Sequence, residues 1–167
     1  MGVDQKTLAL DSRRISIQLE LLTDKMIAQQ GLSTAQAHVL LYILHHSDAG
    51  TSLTEMHREF GYSMASLSCI LKRLRKNGYV RAEPCPDDDR RKILFGTEKS
   101  AQLEECVARA ICSACSLAYC GFSQSELRAL DQLQKKIIHN LSAPAGDPPK
   151  SKRSDECEKS SAAAQAV

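Results

Sequence analysis

The chain has 167 residues, a net charge of +2, 43% hydrophobic residues and 25% charged residues, which is ordinary for one globular domain with tails. Its N-terminus lacks the order of a secretory signal, and no apolar run approaches the roughly 18–20 residues that span a bilayer. We therefore expect a cytoplasmic protein without a membrane segment, in which the seven cysteines are mostly reduced thiols and not a disulfide framework.

Positive charge is concentrated between positions 72 and 92. This segment contains eight Lys and Arg against four Asp and Glu, so its net charge of +4 exceeds that of the whole chain. The remainder is slightly acidic. A basic segment on a nearly neutral body favours one surface for a polyanion.

Two helices are predicted before residue 50. From Leu8 to about Gln29, apolar residues recur at spacings of four, three and four, which predicts an amphipathic helix that ends at Gly31. Ser33 and Gln36 then form a predicted capping box at the start of a second helix. Its expected apolar face consists of Val39, Leu40, Ile43 and Leu44.

A helix-turn-helix is predicted next. Ser52 and Glu55 make another capping box, the helix that they open ends at Gly61, and Ser63 caps a further helix that stops at Asn77-Gly78. Two helices joined by a short turn that contains Gly are typical of this motif. The second helix has an apolar face of Leu67, Ile70, Leu71 and Leu74.

A β-hairpin is predicted directly after these helices. Residues 79–83 (YVRAE) alternate between apolar and polar, and residues 92–97 (KILFGT) form a second apolar run. Between them lies a stretch of Pro, Asp and Arg, which we expect to be a long polar loop. A helix-turn-helix followed by such a hairpin predicts a winged helix.

Two further helices and a tail complete the chain. Thr97, with Glu98 or Ser100, opens a long helix that Gly121 ends, and Ser123 with Glu126 caps the last helix. Residues 142–167 are rich in Pro, Ser, Lys and Ala without periodicity, which predicts a disordered tail. The expected apolar stripes are Leu103, Val107, Ile111, Ala114 and Leu117/Ala118 on the long helix, and Leu127, Leu130, Leu133, Ile137 and Leu141 on the last.

The second helix of the motif has the residues that a major-groove recognition helix needs. Small side chains at its start allow close approach to DNA, hydroxyl groups can bond phosphates or bases, and methyl groups can contact thymine. Long cationic side chains one to two turns later can reach phosphates. An ordinary amphipathic helix with a basic solvated face is the alternative. The predicted DNA-binding residues on this helix are Ser63, Met64, Ala65, Ser66, Ser68, Cys69, Lys72 and Arg73.

The order of elements, residues 53–80 and the stretch DDDRRKILFGTEKS resemble the MarR family of bacterial transcription regulators, from about Leu8 to Leu141. In that family the wing has Asp-x-Arg, then six residues, then Thr and often Glu-Lys. Here Asp88-Asp89-Arg90 precedes Thr97-Glu98-Lys99 at the same spacing. The sequence departs at Gly96, where the family usually has Leu, so we expect looser packing at the base of the second strand. Ser100 stands where Gly is common.

The resemblance implies a mainly α fold with a small β-hairpin wing, in which a winged helix-turn-helix (residues 33–99) lies inside an α-helical dimerisation frame (residues 1–32 and 100–141). It implies a homodimer that reads a palindromic operator on double-stranded DNA. It also implies that Arg90 enters the minor groove and that Asp88 braces this arginine. We expect Arg91 and Lys92 to contact phosphates. No cofactor is implied.

Family members often bind small aromatic or phenolic effectors between the dimerisation frame and the DNA-binding lobe. The resemblance therefore implies a cleft near the second helix and the start of the long fifth helix. His45 and His46 end that second helix and could line a pocket or bind a metal, although a solvated pair is the simpler interpretation.

Three cysteines on the long helix are candidates for another chemistry. Cys112 and Cys115 form a Cys-x-x-Cys motif with Cys120 nearby, but redox motifs of this kind normally lie at a helix N-terminus. We interpret them first as small core residues, next as sensors of oxidants or electrophiles, and last as metal ligands. Cys85 is expected to be an exposed thiol near the wing.

Three functions follow from these patterns. The first is a homodimeric DNA-binding transcription regulator, most often a repressor in this family, that a small molecule releases. The second is a regulator of the same fold that senses thiol oxidation. The third is a winged-helix module that binds protein and not DNA. The sequence contains no phosphate-binding Gly loop, nucleophile elbow or paired carboxylates in a plausible cleft, so we do not expect an enzyme.

Overall fold

The computed structural model describes residues 2–86 and 88–142; it does not describe the side chains of Asp89 and Arg90, and the predicted disordered tail lies outside the described residues from position 143 onward. The helices are α1 (Gln5–Ile27), α2 (Thr34–His45), α3 (Leu53–Phe60), α4 (Met64–Lys76), α5 (Glu98–Ala118) and α6 (Gln124–Ser142). The strands are β1 (Val80–Cys85) and β2 (Asp88–Gly96). The predicted mainly α fold with a hairpin wing is confirmed. None of the described helices combines the length and apolar character that crossing a bilayer requires.

Capping chemistry sets where the helices begin. Reciprocal capping boxes open α2 with Ser33 and Gln36 and α3 with Ser52 and Glu55, as predicted. At α5, Thr97 pairs with Ser100 and not with Glu98. The 3₁₀ turn Ala28–Gln30 extends α1 by one turn.

The core lies around α2, which packs against α1, α4, α5 and β2. All four apolar residues predicted for its inner face are buried. Burial of each aliphatic side chain contributes about 1.5–3 kcal/mol, so this helix is the main support of the winged helix. Its partners in the core include Ile27 of α1, Met56 of α3, Leu67 and Leu74 of α4, and Val107 of α5.

A partly buried polar contact joins α1 to the start of α2. The backbone N–H and the hydroxyl of Thr34 each donate to Asp24 Oδ1 at 2.6 Å, and the hydroxyl also lies 3.1 Å from the carbonyl oxygen of Glu20. Asp24 therefore satisfies a free N–H at the N-terminus of α2, where a negative charge is favourable.

We expect Asp24→Ala to lower the free energy of unfolding by about 1–2 kcal/mol, because Thr34 is buried and its backbone N–H would lose its acceptor. Urea denaturation measures the change. Asp11→Ala is the matched control, since Asp11 lies on the same helix and only pairs with exposed Arg14. Equal effects of the two substitutions would contradict a specific role for Asp24.

The hairpin differs from the prediction. β1 and β2 are antiparallel, with pairs from Val80↔Gly96 to Pro84↔Lys92, and then Cys85↔Asp88 after an irregularity. Residues 89–91 therefore bulge opposite the Pro84–Cys85 peptide, where Pro84 has no N–H to donate. The predicted long polar loop is wrong. The charged residues from Asp88 to Lys92 belong to β2, in which Asp88 and Lys92 pair with β1 and the side chains of Arg91 and Lys92 are exposed.

The base of the wing is attached to the connection between α2 and α3. Thr51 and Leu94 exchange two backbone hydrogen bonds, with N···O distances of 3.0 and 2.7 Å. The neighbouring Gly50 has φ +71°, and a Cβ there would collide with the side chains of Ile93 and Phe95. The wing therefore makes backbone hydrogen bonds to the connection between α2 and α3, in addition to those within its own hairpin.

The expectation of loose packing at Gly96 is wrong. A Cβ built on Gly96 would lie 2.5 Å from Leu44 Cδ2 and 3.2 Å from Ser100 Oγ. Leu44 of α2 is only 9% exposed. Its side chain occupies the space that a larger residue at position 96 would fill, so the glycine is required for close packing.

The second compact unit begins at Gly121, and its described part is dominated by α6. The predicted cap is confirmed, because the hydroxyl of Ser123 lies 2.7 Å from Glu126 Oε2 and accepts from the Glu126 N–H at 3.3 Å. The hydrogen bond from the Ser123 N–H also lowers the pKa of Glu126. The exposed apolar residues of α6 are Leu133, Ile137, Ile138 and Leu141.

Candidate nucleic-acid interface

The N-terminal half of α4 presents small exposed side chains, as predicted. Leu67 is buried, whereas Met64, Ala65, Ser66, Ser68 and Cys69 are exposed. The backbone N–H of Ser66 donates to Ser63 Oγ at 3.1 Å, and the two hydroxyl oxygens lie 2.8 Å apart. These two serines are therefore linked by the cap itself, which fixes the first turn of the helix.

The C-terminal half of α4 carries the positive charge. Lys72 and Arg73 are exposed, and so are Arg75 and Lys76. Because α-helical residues three and four apart share a face, Arg75 and Lys76 lie on the same side as Lys72. The sequence prediction missed them, although this spacing was the signal that could have found them.

A groove of about 950 Å³ separates α4 from the wing. Its inner surface includes Leu71, Val80 and Leu94, which are buried core residues. Among the described residues, every charged residue that lines it is basic, so the groove concentrates positive potential beside α4. These basic residues are Lys72, Arg75, Lys76, Arg81, Arg91 and Lys92.

Two of the groove arginines have identifiable neighbours. Arg81 pairs with Glu83 and its guanidinium lies 4.5 Å from the centroid of the Phe95 ring. Glu55, in the capping box of α3, has a lowered pKa, chiefly because the Ser52 backbone N–H donates to it and to a smaller extent because of Arg91. The α3 cap and the wing therefore interact electrostatically across the groove.

The predicted contact between Asp88 and Arg90 lies partly outside the described residues. Asp88 is half-buried, and both residues belong to β2, with position 90 in the middle of the bulge. The Arg90 side chain is not described, so the roles of Asp88 as brace and Arg90 as minor-groove probe stay predictions.

The Thr-Glu-Lys part of the wing signature has a structural explanation. Thr97 Oγ1 donates to the carbonyl oxygen of Gly78 at 2.8 Å, and Lys99 Nζ donates to that of Asn77 at 2.8 Å. Lys99 also lies 4.7 Å from the centroid of the Tyr79 ring. A cation at the C-terminus of α4 is favoured by the helix dipole, so these residues fasten the end of the wing to the end of the recognition helix.

The three candidate cysteines lie in α5 and just after it. Cys112 and Cys120 are exposed and Cys115 is half-buried, and all three are free thiols. The interpretation of Cys112 and Cys120 as core residues is therefore wrong for the isolated chain, while oxidation sensing stays a prediction. Among residues 2–86 and 88–142, no three His, Cys, Asp or Glu are grouped to hold a metal. The prediction overlooked Cys106, whose Sγ accepts from Gln30 Nε2 at 3.1 Å.

The junction of α2 and α5, near which an effector cleft was predicted, contains a contact between a histidine and a glutamate. His45 Nε2 lies 3.5 Å from Glu104 Oε1, and both side chains are substantially exposed. His46 Nδ1 lies 2.7 Å from the Tyr42 carbonyl oxygen. The two adjacent histidines therefore have separate partners.

Comparisons with known proteins support this architecture. A family model described as "MarR family" matches residues 30–91, which run from the end of the 3₁₀ turn to the wing. The solved structure of a mutant MarR from E. coli complexed with operator DNA is 20% identical, with a TM-score of 0.71, and the match covers 79% of this chain and 94% of that chain.

Two other solved structures have the same fold. The S. aureus MepR–DNA complex is 18% identical with a TM-score of 0.75, and the match covers 84% of this chain and 100% of that chain. A putative MarR family regulator from Listeria monocytogenes, complexed with a 26mer DNA, is 22% identical with a TM-score of 0.71. The match covers 84% of this chain and 90% of that chain. The family model therefore matches the winged-helix part of this chain, and the three solved structures share its fold over most of its length.

Proposed function

We propose that the protein is a DNA-binding transcription regulator. The observation that carries this proposal is the continuity of the exposed start of α4 with the six basic residues of the groove beside it. A phosphate backbone is the extended polyanion that such a surface suits. The solved DNA complexes of proteins with this fold support the same assignment.

Docking would place α4 in the major groove of DNA and the wing over the adjacent phosphates and minor groove. Lys72, Arg91 and Lys92 would contact phosphates, joined by Arg75 and Lys76. Arg90 would enter the minor groove, where narrow A·T-rich segments attract arginine, and Asp88 would restrain it. The position of residue 90 in a bulge supports this role, because bulges redirect side chains out of a ladder.

The regulator would act as a homodimer. Exposed apolar residues on α1 and α6 favour burial against a second copy, since surfaces of this kind commonly mark protein interfaces. They include Leu8, Ile15 and Ile17 of α1 and Ile137 and Leu141 of α6. A two-fold dimer places two recognition helices on half-sites roughly 34 Å apart, so the operator would be palindromic.

We also propose that the protein represses transcription and that a small molecule relieves this repression. A dimer on an operator would repress by occupying the promoter, and a small phenolic or aromatic effector would release it. The junction of α2 and α5 is a suitable place for that effector, because a change there would alter the spacing of the recognition helices.

Salt dependence tests the central claim. Fluorescence anisotropy with duplex DNA from the gene's own promoter should show affinity falling by about 10³–10⁵ between 50 and 200 mM salt, if the dimer contacts about 6–10 phosphates. A scrambled duplex of the same length is the control for specificity. Absence of any salt-sensitive binding to duplex DNA would contradict the proposal and favour a winged-helix module that binds protein.

A further inference from the structure

The start of α4 has a composition that restricts which bases it can read. Successive helical residues are rotated by about 100°, so the buried Leu67, Leu71 and Leu74 define the inner face of α4. Ala65 and Cys69 then lie on the opposite, outermost face. Met64 and Ser68 lie towards the wing, because both line the groove. These four side chains are the first that a major groove would meet.

None of these four residues is Arg, Lys, Asn or Gln, and only Ser68 carries a hydroxyl group that can bond a base edge. Guanine is typically read by Arg or Lys, and adenine by Asn or Gln, through pairs of donors and acceptors. From position 64 to 69 the sequence is MASLSC, and the first long cationic side chain is Lys72, which lines the groove. The hydroxyl groups of Ser63 and Ser66 already bond each other in the cap. Direct reading by hydrogen bonds is therefore limited to single contacts.

Apolar contact is the chemistry that this face does offer. Met64 is 43% exposed although it is a large apolar residue, and Ala65 presents a methyl group beside it. The corresponding feature of B-DNA is the C5-methyl group of thymine, which projects into the major groove. Resting on the proposed function, we propose that Met64 and Ala65 read the half-site through thymine methyl groups, and that no guanine in the half-site is read from the major groove.

The test starts from selection of bound sequences out of a random duplex library by the full-length protein. Single thymines of the enriched half-site are then replaced by uracil, which removes only the methyl group. We expect about a three- to fivefold loss of affinity at each contacted thymine, the value of one buried methyl group. Replacement of any guanine by 7-deazaguanine removes the N7 acceptor. It should change the affinity less than about twofold, as expected for a base that the protein does not contact in the major groove.

Two variants of Met64 assign the contact. Met64→Ala should abolish the preference for thymine over uracil at one position per half-site, whereas Met64→Leu should retain it because the apolar bulk remains. Melting temperatures of both variants should match the wild type, since Met64 is exposed. A preference that survives Met64→Ala at every position would overturn its assignment.

Other outcomes separate this inference from the proposed function. Enriched sites in which 7-deazaguanine abolishes binding, while uracil changes nothing, would overturn the reading by methyl groups and leave the DNA-binding function intact. Salt-sensitive binding without enrichment of any sequence would do the same. Failure to bind any duplex would overturn both.

Discussion

Simultaneous replacement of Lys72, Arg91 and Lys92 by alanine is expected to weaken operator binding by on the order of 100-fold at physiological salt. All three side chains line one groove, and the lining residues that the structure describes include no acidic residue to compensate for their loss. The slope of log affinity against log salt should decrease in magnitude by roughly 0.9 for each phosphate contact removed. Anisotropy titrations at several salt concentrations measure both quantities.

The matched control removes the same charge elsewhere. Arg109, Lys135 and Lys136 are exposed residues of α5 and α6, so their triple alanine variant also loses three positive charges. We expect its affinity to change less than about threefold, because none of the three residues lines the groove and exposed charges without a direct contact are screened by salt. Equal losses in the two triple variants would show that net charge, and not the groove, governs binding. A loss of melting temperature confined to the groove variant would show that these side chains support the fold.

Gly96→Leu is expected to destabilise the protein by about 1–3 kcal/mol or more, because the new side chain would occupy the space that Leu44 already fills. In a domain of this size that corresponds to a decrease in melting temperature of roughly 2–4 °C per kcal/mol. Differential scanning calorimetry measures the change. Gly2→Leu is the control, since a Cβ at Gly2 would meet no atom within 4 Å.

A compensating substitution identifies the cause. In Gly96→Leu/Leu44→Ala, the leucine side chain enters from β2 into the space vacated on α2, so most of the lost stability should return. Leu44→Ala alone should cost about 2–5 kcal/mol, because it leaves a cavity. If the double variant is as unstable as the two single changes combined, the two positions do not share one space.

The starts of α2, α3 and α6 were predictable because capping is local. A serine or threonine and a residue three positions later are both present in the sequence, and their hydrogen bonds need no other part of the chain. Ser33 with Gln36, Ser52 with Glu55, and Ser123 with Glu126 each form the predicted cap. The positions of the recognition helix and of the wing follow from these boundaries.

The features that were missed depend on contacts between distant residues. The pairing of Thr51 with Leu94 joins residues 43 positions apart, and the bulge in β2 is defined only by its partner strand. The charged residues before Lys92 have low β propensity, so the sequence did not indicate that β2 begins as early as Asp88. The position of Arg81 in the groove could not be predicted either, because only the folded hairpin brings β1 beside α4.

The contact between Leu44 and Gly96 has a consequence for comparison with relatives. Where the resemblance places a leucine before the wing threonine, this chain has glycine, and a leucine from α2 fills the same volume. The two positions are therefore expected to vary together: a bulky residue at one should accompany a small residue at the other. A sequence profile that scores each position separately would score Gly96 as unfavourable. Leu44 and Gly96 together nevertheless fill the same volume where α2 packs against β2. Because Leu44 packs against Gly96, a displacement of α2 would be transmitted to the wing through Leu44.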